Sequence, residues 1–348
     1  MSDMIAGFIP RTGLSGGRSY GYTIAQVVFG LMALIGVVAG VHALYVGHEH
    51  VFGVSREVPW GILIATYVFF VVTATGFCII SSLGHIFGFR AFIPVSKRAA
   101  YLSIISMFAG FLVIGFEIES TWRMPIGNIV GANLSSNIWW MGTFYTIYLI
   151  LEVVSFVLMQ RNRHKASQYI GFLALLADLA AISNLGAVFA LISGKDFWYG
   201  PYIPICFIVS GAMAGGYGVL FATNVAYRAN GWKMNDTMKE SLRVVAKLTI
   251  FFISVVVFFN IWKLISGVTG NPAGKYESMK LLLTGEYADF FWIGEILLGL
   301  VLPLVLIILS QGRHLGLLFL AALLGLIGTY FMRYDMVIAG QLVPHYFG

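Results

Sequence analysis

Residues 171–192 read GFLALLADLAAISNLGAVFALI, an apolar run with one carboxylate, Asp178, near its middle. A membrane span needs about 20 apolar residues to cross roughly 30 Å of hydrocarbon. A carboxylate at that depth costs on the order of 2.5–3.5 kcal/mol on insertion scales. The stretch therefore raises two questions: how many such runs the chain holds, and what retains the carboxyl.

Working outward, comparable runs occur at 22–46, 60–88, 98–120, 137–160, 169–193, 203–228, 242–267, 289–310 and 315–334. Only SQGRH separates the last two. Of the 348 residues, 59% are hydrophobic and 10% charged, whereas a soluble domain carries about a quarter charged residues. The expected fold class is an all-α polytopic membrane protein with about nine transmembrane helices. The net charge of +6 calls for no nucleic acid, because such an excess gathers in cytoplasmic loops. The opening MSDMIAGFIPRTGLSGGRSYGYT is too polar for a cleavable signal peptide.

Lys and Arg set the orientation. One set of loops holds Arg11, Arg18, Arg90, Lys97, Arg98, Arg161, Arg163, Lys165, Arg228, Lys233, Lys239, Arg243 and Arg313. The alternate set holds Arg56, Arg123, Lys195, Lys275 and Lys280. The richer set is expected inside, which puts the N-terminus in the cytoplasm and the C-terminus outside. The outer loops are rich in Trp, Tyr, Pro and Gly, as in SGKDFWYGPYIP and DMVIAGQLVPHYFG. That composition suits an interfacial aromatic belt or a docking surface for an outside partner.

A weak internal echo links EVPWGILIATYVFFVVTATG, which opens the second span, with YGPYIPICFIVSGAMAGG, which opens the sixth. Four helices apart, the two run the same way. Two parallel four-helix bundles follow, spans 2–5 within residues 59–200 and spans 6–9 within 201–348. Residues 1–58 then form the cytoplasmic N-terminus, an additional first helix and an outer loop. The pairs Gly36/Gly40 and Gly211/Gly215 are spaced for close helix packing.

Ionisable groups that persist in lipid mark function by default. At about 1.5 Å per residue, Asp178 lies roughly 15 Å and Glu152 roughly 12 Å from the inner ends of their helices. These helices are antiparallel neighbours, so the two carboxyls are at similar depth and can share a proton. Glu117 and Glu119 end the third span, and Asn184 sits above Asp178. Glu295, Lys263 and Asn260 lie towards the outside in the second half, and His85 ends the second span inside. Together these residues form a candidate proton ladder, or else a set of separate interhelical hydrogen bonds.

The only cysteines, Cys78 and Cys206, lie in apolar runs. They cannot ligate an iron–sulfur cluster by themselves. His42 and His85 fall at opposite membrane ends and cannot clamp one haem iron, and the remaining histidines are in loops. Neither haem nor an iron–sulfur cluster is expected in this chain, and no metal-ligand spacing stands out.

VPWGILIATYVFF (58–70), WYGPYIPICFIVSGAMAGG (198–216) and RYDMVIAGQLVP (333–344) together resemble the polysulfide-reductase membrane-subunit (NrfD-like) family. The resemblance covers the second to ninth spans. It implies a haem-free, quinone-interacting subunit of a respiratory oxidoreductase in a prokaryotic cytoplasmic membrane. It implies a four-cluster ferredoxin-like iron–sulfur partner on the extracytoplasmic face, with a molybdopterin enzyme or multihaem cytochrome c further out. The quinone, menaquinone or ubiquinone, would sit in the first bundle near that face. Carried onto this sequence, the pocket would be lined by Trp60, Tyr67, Glu117, Trp139, Tyr145, Tyr148 and Asp178. Asp178, Glu152 and Glu119 would handle protons. The family's pocket commonly includes His, and no His occurs in the outer halves of these helices, so Tyr or Glu must replace it.

Other classes stay open on the residues alone. A secondary transporter also uses buried carboxylates, and a purely structural anchor would use them to join helices. A third reading keeps the quinone and adds proton pumping through Glu295, Lys263, Arg333 and Asp335.

Overall fold

The computed structural model describes residues 20–55, 58–118, 126, 130–192, 194–269 and 274–343. Glu119, Arg56, Arg123 and the first nineteen residues, with Arg11 and Arg18, lie outside them. The described residues form eleven helices and no strand: α1 Tyr20–Val46, α2 His48–Phe52, α3 Ile62–His85, α4 Ile93–Glu117, α5 Asn137–Gln160, α6 His164–Ala190, α7 Tyr202–Ala229, α8 Asp236–Val268, α9 Lys275–Thr284, α10 Phe290–Ser310 and α11 Leu315–Leu342. All but α2 and α9 are long and apolar enough to cross a membrane, nine spans among the described residues. The chain is an integral membrane protein. The end at which α1, α4, α6 and α8 begin is termed inner, after the charge bias, and the opposite end outer.

Several spans extend beyond one end of their apolar runs. α4 starts at Ile93 rather than 98, α6 at His164 rather than 169 and α8 at Asp236 rather than 242, while α11 continues past 334 to Leu342. Charged residues end an apolar run without ending a helix. Pro94 suits the first turn of α4, where its missing N–H has no intrahelical acceptor in any case. The Arg98 guanidinium lies over the Tyr227 ring at 5.6 Å, while Lys97 lines an inner cavity. Asn235 caps α8, its Oδ1 accepting from the Met238 amide at 2.8 Å. The short helices α2 and α9 stand in outer loops, and α9 tucks Met279 and Leu282 inward.

α3 and α7 form the centre: 61% and 72% of their most apolar 18-residue stretches are buried, against 6% for α1, which is exposed almost throughout. They are the two helices of the sequence echo, and they meet backbone to backbone. A Cβ added to Gly76 would fall 1.9 Å from the Gly211 carbonyl oxygen, and one on Gly215 would fall 2.2 Å from the Gly76 carbonyl carbon. Only glycine permits this approach. α4 packs along α3, α5 along α6, α8 along α7, and α10 along α11.

α10 is irregular for a readable reason. Its first part, Phe290–Val301, is π-helical and runs into Pro303. Proline has no N–H for the carbonyl four residues earlier, which is that of Gly299. The Tyr217 hydroxyl of α7 donates to that carbonyl instead, at 2.9 Å. Gly299 and Gly328 then bring α10 against α11, where a Cβ on Gly328 would lie 2.0 Å from the Gly299 Cα.

Candidate functional site

Four helices bring their polar side chains to one buried cluster at mid-depth. α6 supplies Asp178, 0% exposed, and α5 supplies Glu152, 5% exposed, with Tyr145 and Tyr148 at 0%. α3 supplies Thr75 and Cys78, and α4 supplies Ser103. Thr75 Oγ1 donates to Asp178 Oδ1 at 2.8 Å. The Cys78 thiol lies near Asp178 and Tyr148. Ser103 donates to the Ala74 carbonyl at 2.6 Å and shares a short hydrogen bond with the Tyr148 hydroxyl. Because Ser103 has one proton to give, Tyr148 is the donor in that second bond. Glu152 and Asp178 interact electrostatically, as antiparallel neighbours at similar depth should. Asp178 Oδ2 and the Tyr145 hydroxyl accept or donate no hydrogen bond to any described residue, though both are buried and lie within each other's field.

Inward from this cluster runs a string of hydroxyls. Ser155 is one turn along α5 from Glu152. Its hydroxyl donates to the Ser167 carbonyl at 3.1 Å, and the Ser167 hydroxyl reaches the Ser155 carbonyl at 3.0 Å. Ser167 Oγ also lies 2.7 Å from His85 Nε2. His85, further held through its carbonyl by Gln168 Nε2 at 3.0 Å, lines an open inner cavity of about 770 Å³. Hydroxyls thus lead from His85 at the inner end to Ser155, one turn along α5 from Glu152.

The remaining predicted pocket residues are more dispersed. Tyr67 is buried, with its hydroxyl 3.8 Å from Met141 Sδ. Trp139 is half-buried and packs edge-on against Trp140. Glu117 is half-buried at the outer end of α4, in the field of His48. His48 Nε2 in turn donates to the Phe116 carbonyl at 2.6 Å. Glu119 lies outside the described residues.

Trp60 belongs to a different assembly. Its amide donates to Gln341 Oε1 at 2.9 Å, and Gln341 Nε2 donates to the Trp60 carbonyl at 2.7 Å. Its ring stacks on Trp198 at 5.4 Å and meets Phe189 edge-on. Trp198 Nε1 donates to the Met336 carbonyl at 2.8 Å. Gly340 leaves room for that indole, since a Cβ there would fall 2.0 Å from Trp198 Nε1. The three motifs 58–70, 198–216 and 333–344 are therefore one clamp at the outer end.

A second polar cluster lies between α7, α8, α10 and α11. Arg333, 1% exposed, donates to Ser210 Oγ at 2.8 Å and lies over the Phe207 ring. Glu295, Asp335 and Asn260 are buried beside it, and Lys263 lies over the Phe197 and Phe291 rings. A cavity of about 50 Å³ is lined by Tyr202, Cys206, Asn260, Lys263, Glu295 and Arg333. That volume admits ordered water. At the outer end, a cavity of about 430 Å³ lies between the 51–62 segment and α11, with Tyr287 and Tyr334 in its wall. Asp178 lines none of these three cavities.

Sequence reasoning missed Thr75, Cys78, Ser103, Ser155 and Ser167. A Ser or Thr in a membrane helix usually satisfies its own preceding turn, as Ser183 does by donating to the Leu179 carbonyl at 2.6 Å. Nothing in the residue pattern separates the two uses.

The family described as Polysulphide reductase, NrfD matches the chain over residues 50–345. A selenate reductase subunit of Mesobacillus selenatarsenatis is 23% identical, over 93% of this chain and 84% of that protein. The Hdr-like menaquinol oxidoreductase integral membrane subunit of Archaeoglobus fulgidus is 22% identical, over 91% and 80%. A putative dimethyl sulfoxide reductase membrane subunit of Halobacterium salinarum is 23% identical, over 90% and 76%.

Proposed function

Because the chain belongs to the NrfD polysulphide reductase family, we propose that it is the quinone-reactive membrane subunit of a respiratory oxidoreductase. In this role it exchanges electrons with an extracytoplasmic iron–sulfur subunit and carries the coupled protons on its own side chains. The relatives' names support the oxidoreductase setting, and one of them includes menaquinol. The single observation that carries the reading is a buried acid pair, Asp178 with an unpartnered oxygen and Glu152 in its field, with a hydroxyl string from His85 that ends one turn from Glu152. The site lies in the first bundle, 59–200, with the second bundle, 201–348, against it. The inner end is cytoplasmic.

A bound quinone supplies a carrier that takes or gives two electrons with two protons. The residues fit such a group on one count: an orphaned buried polar atom costs about 1–3 kcal/mol, and Tyr145 and Asp178 of this cluster each carry one. They are a donor and a proton-exchanging acid, the pair that a quinone carbonyl or hydroxyl requires. Thr75 fixes Oδ1 and so leaves Oδ2 as the oxygen that exchanges the proton. Glu152 stands behind it, and Ser155, Ser167 and His85 connect it to the inner end. The Ser155 and Ser167 hydroxyls each donate to a backbone carbonyl and must rotate to pass a proton.

Since Asp178 lines none of the cavities above, admission of a head group needs the outer half of α5 to shift. That helix yields most readily: 28% of its most apolar 18-residue stretch is buried, against 61% for α3. A positioned acid contributes about 10²–10⁴-fold. Asp178→Asn in the assembled complex is therefore expected to lower quinone-linked turnover by about 10²-fold, with assembly of the complex unchanged. Unaltered turnover would remove Asp178 from the mechanism.

A further inference from the structure

The inner cavity of about 770 Å³ is far larger than a proton entry needs, and its wall has a definite chemistry. Arg90, Lys97, His85 and His164 line it, with the amides of Gln168 and Asn235, and no carboxylate is among the lining residues. Three helices begin there: α4 at Ile93, α6 at His164 and α8 at Asp236. Their positive dipole ends add to the cationic field. The acids nearest in sequence are already engaged on α8, Asp236 with Lys239 at 2.9 Å and Glu240 with Arg243 at 2.8 Å. Among the described residues, Arg90, Lys97 and His164 have no carboxylate partner. Ile93 in the wall is 42% exposed, and Phe87 and Phe89, on either side of the lining residue Gly88, are 53% and 55% exposed.

We propose that this cavity binds the phosphate of an anionic membrane lipid, with the phosphodiester against Arg90 and Lys97 and the glycerol and acyl ends along Phe87, Phe89 and Ile93. Basic pockets between membrane helices recognise such head groups. Arg supplies a planar fork for phosphate oxygens and Lys a point charge. A free phosphate ion shares the charge but has no use for these exposed apolar side chains, and it is small for the space. The inference depends neither on the quinone reading nor on which membrane face is inner, because both leaflets contain phospholipid.

The test is lipid retention by the intact complex, purified in detergent, delipidated and titrated with phosphatidylglycerol, then read by native mass spectrometry. Phosphatidylcholine serves as the zwitterionic control and inorganic phosphate as a separate arm. Each basic side chain near an anionic surface contributes about fivefold. The double variant Arg90→Gln/Lys97→Gln is therefore expected to bind phosphatidylglycerol roughly 25-fold more weakly. Lys239→Gln, on α8 but not in the cavity wall, should bind it as the unaltered protein does. Equal retention by the double variant, or equal retention of phosphatidylcholine, overturns the proposal. Displacement of phosphatidylglycerol by millimolar inorganic phosphate assigns the site to a soluble anion and overturns the lipid assignment.

Discussion

The two buried polar clusters follow opposite rules. Between α3, α4, α5 and α6, Asp178 and Glu152 are accompanied by hydroxyls and a thiol, and among the described residues no Lys or Arg is in contact with them. Between α7, α8, α10 and α11, Glu295 shares its surroundings with Lys263 and Arg333, and Asp335 lies in the field of Lys263. A buried carboxylate must be neutralised by something. The second cluster can do this with its own cations, but the first can do it only with a proton. One region thus holds its acids without cations and the other holds acids and cations together, although both stand out equally in the sequence as charges in lipid.

Substitutions separate these roles. The largest effect is expected at Arg333→Ala, which leaves Lys263 as the one cation near Glu295 and strips the donor from Ser210. Removing one partner of a buried ionic group costs about 3–5 kcal/mol. Thermal unfolding of the detergent-solubilised complex should record a loss of that order. A variant as stable as the parent would show that the second cluster is not structural.

Glu152→Gln should act in the opposite manner. It keeps shape and assembly but lowers quinone-linked turnover by about 10²-fold, the scale of one acid–base group. If it lowers stability and leaves turnover per assembled complex intact, the contrast between the clusters fails. The smallest effect is expected at Gln341→Ala, which removes the two side-chain hydrogen bonds to Trp60. At about 1 kcal/mol each, stability should fall by roughly 2 kcal/mol, with turnover per assembled complex unchanged. A selective loss of turnover would return Trp60 to the quinone pocket.

Much of the fold was legible because lipid is a demanding solvent. Nine runs of sufficient length meet it with helices, the only open-chain structure that satisfies its own backbone there. The helix ends were less legible. At α4, α6, α8 and α11 hydropathy stops at the first charges while the hydrogen-bonded backbone continues. The π-helical start of α10 was not read at all, since it depends on how Tyr217 of another helix meets Gly299. Asp178 and Glu152 were readable as a pair because carboxyls in lipid are costly and a short loop joins their helices. The hydroxyls that connect them to His85 were not, because a serine gives no sign of whether it bonds its own helix or a neighbour.

Trp60 illustrates a motif whose residues are visible but whose meaning is not. Its partner Gln341 is 281 positions away. The residue that the resemblance places in a pocket wall also joins three segments.

The central claim is that the acid-only cluster changes protonation when the carrier changes redox state. Redox-induced infrared difference spectroscopy on the assembled, quinone-loaded complex addresses it directly. The account predicts a carboxyl C=O difference band that shifts on deuteration and disappears in Asp178→Asn. A difference spectrum identical in the parent and in Asp178→Asn would contradict it.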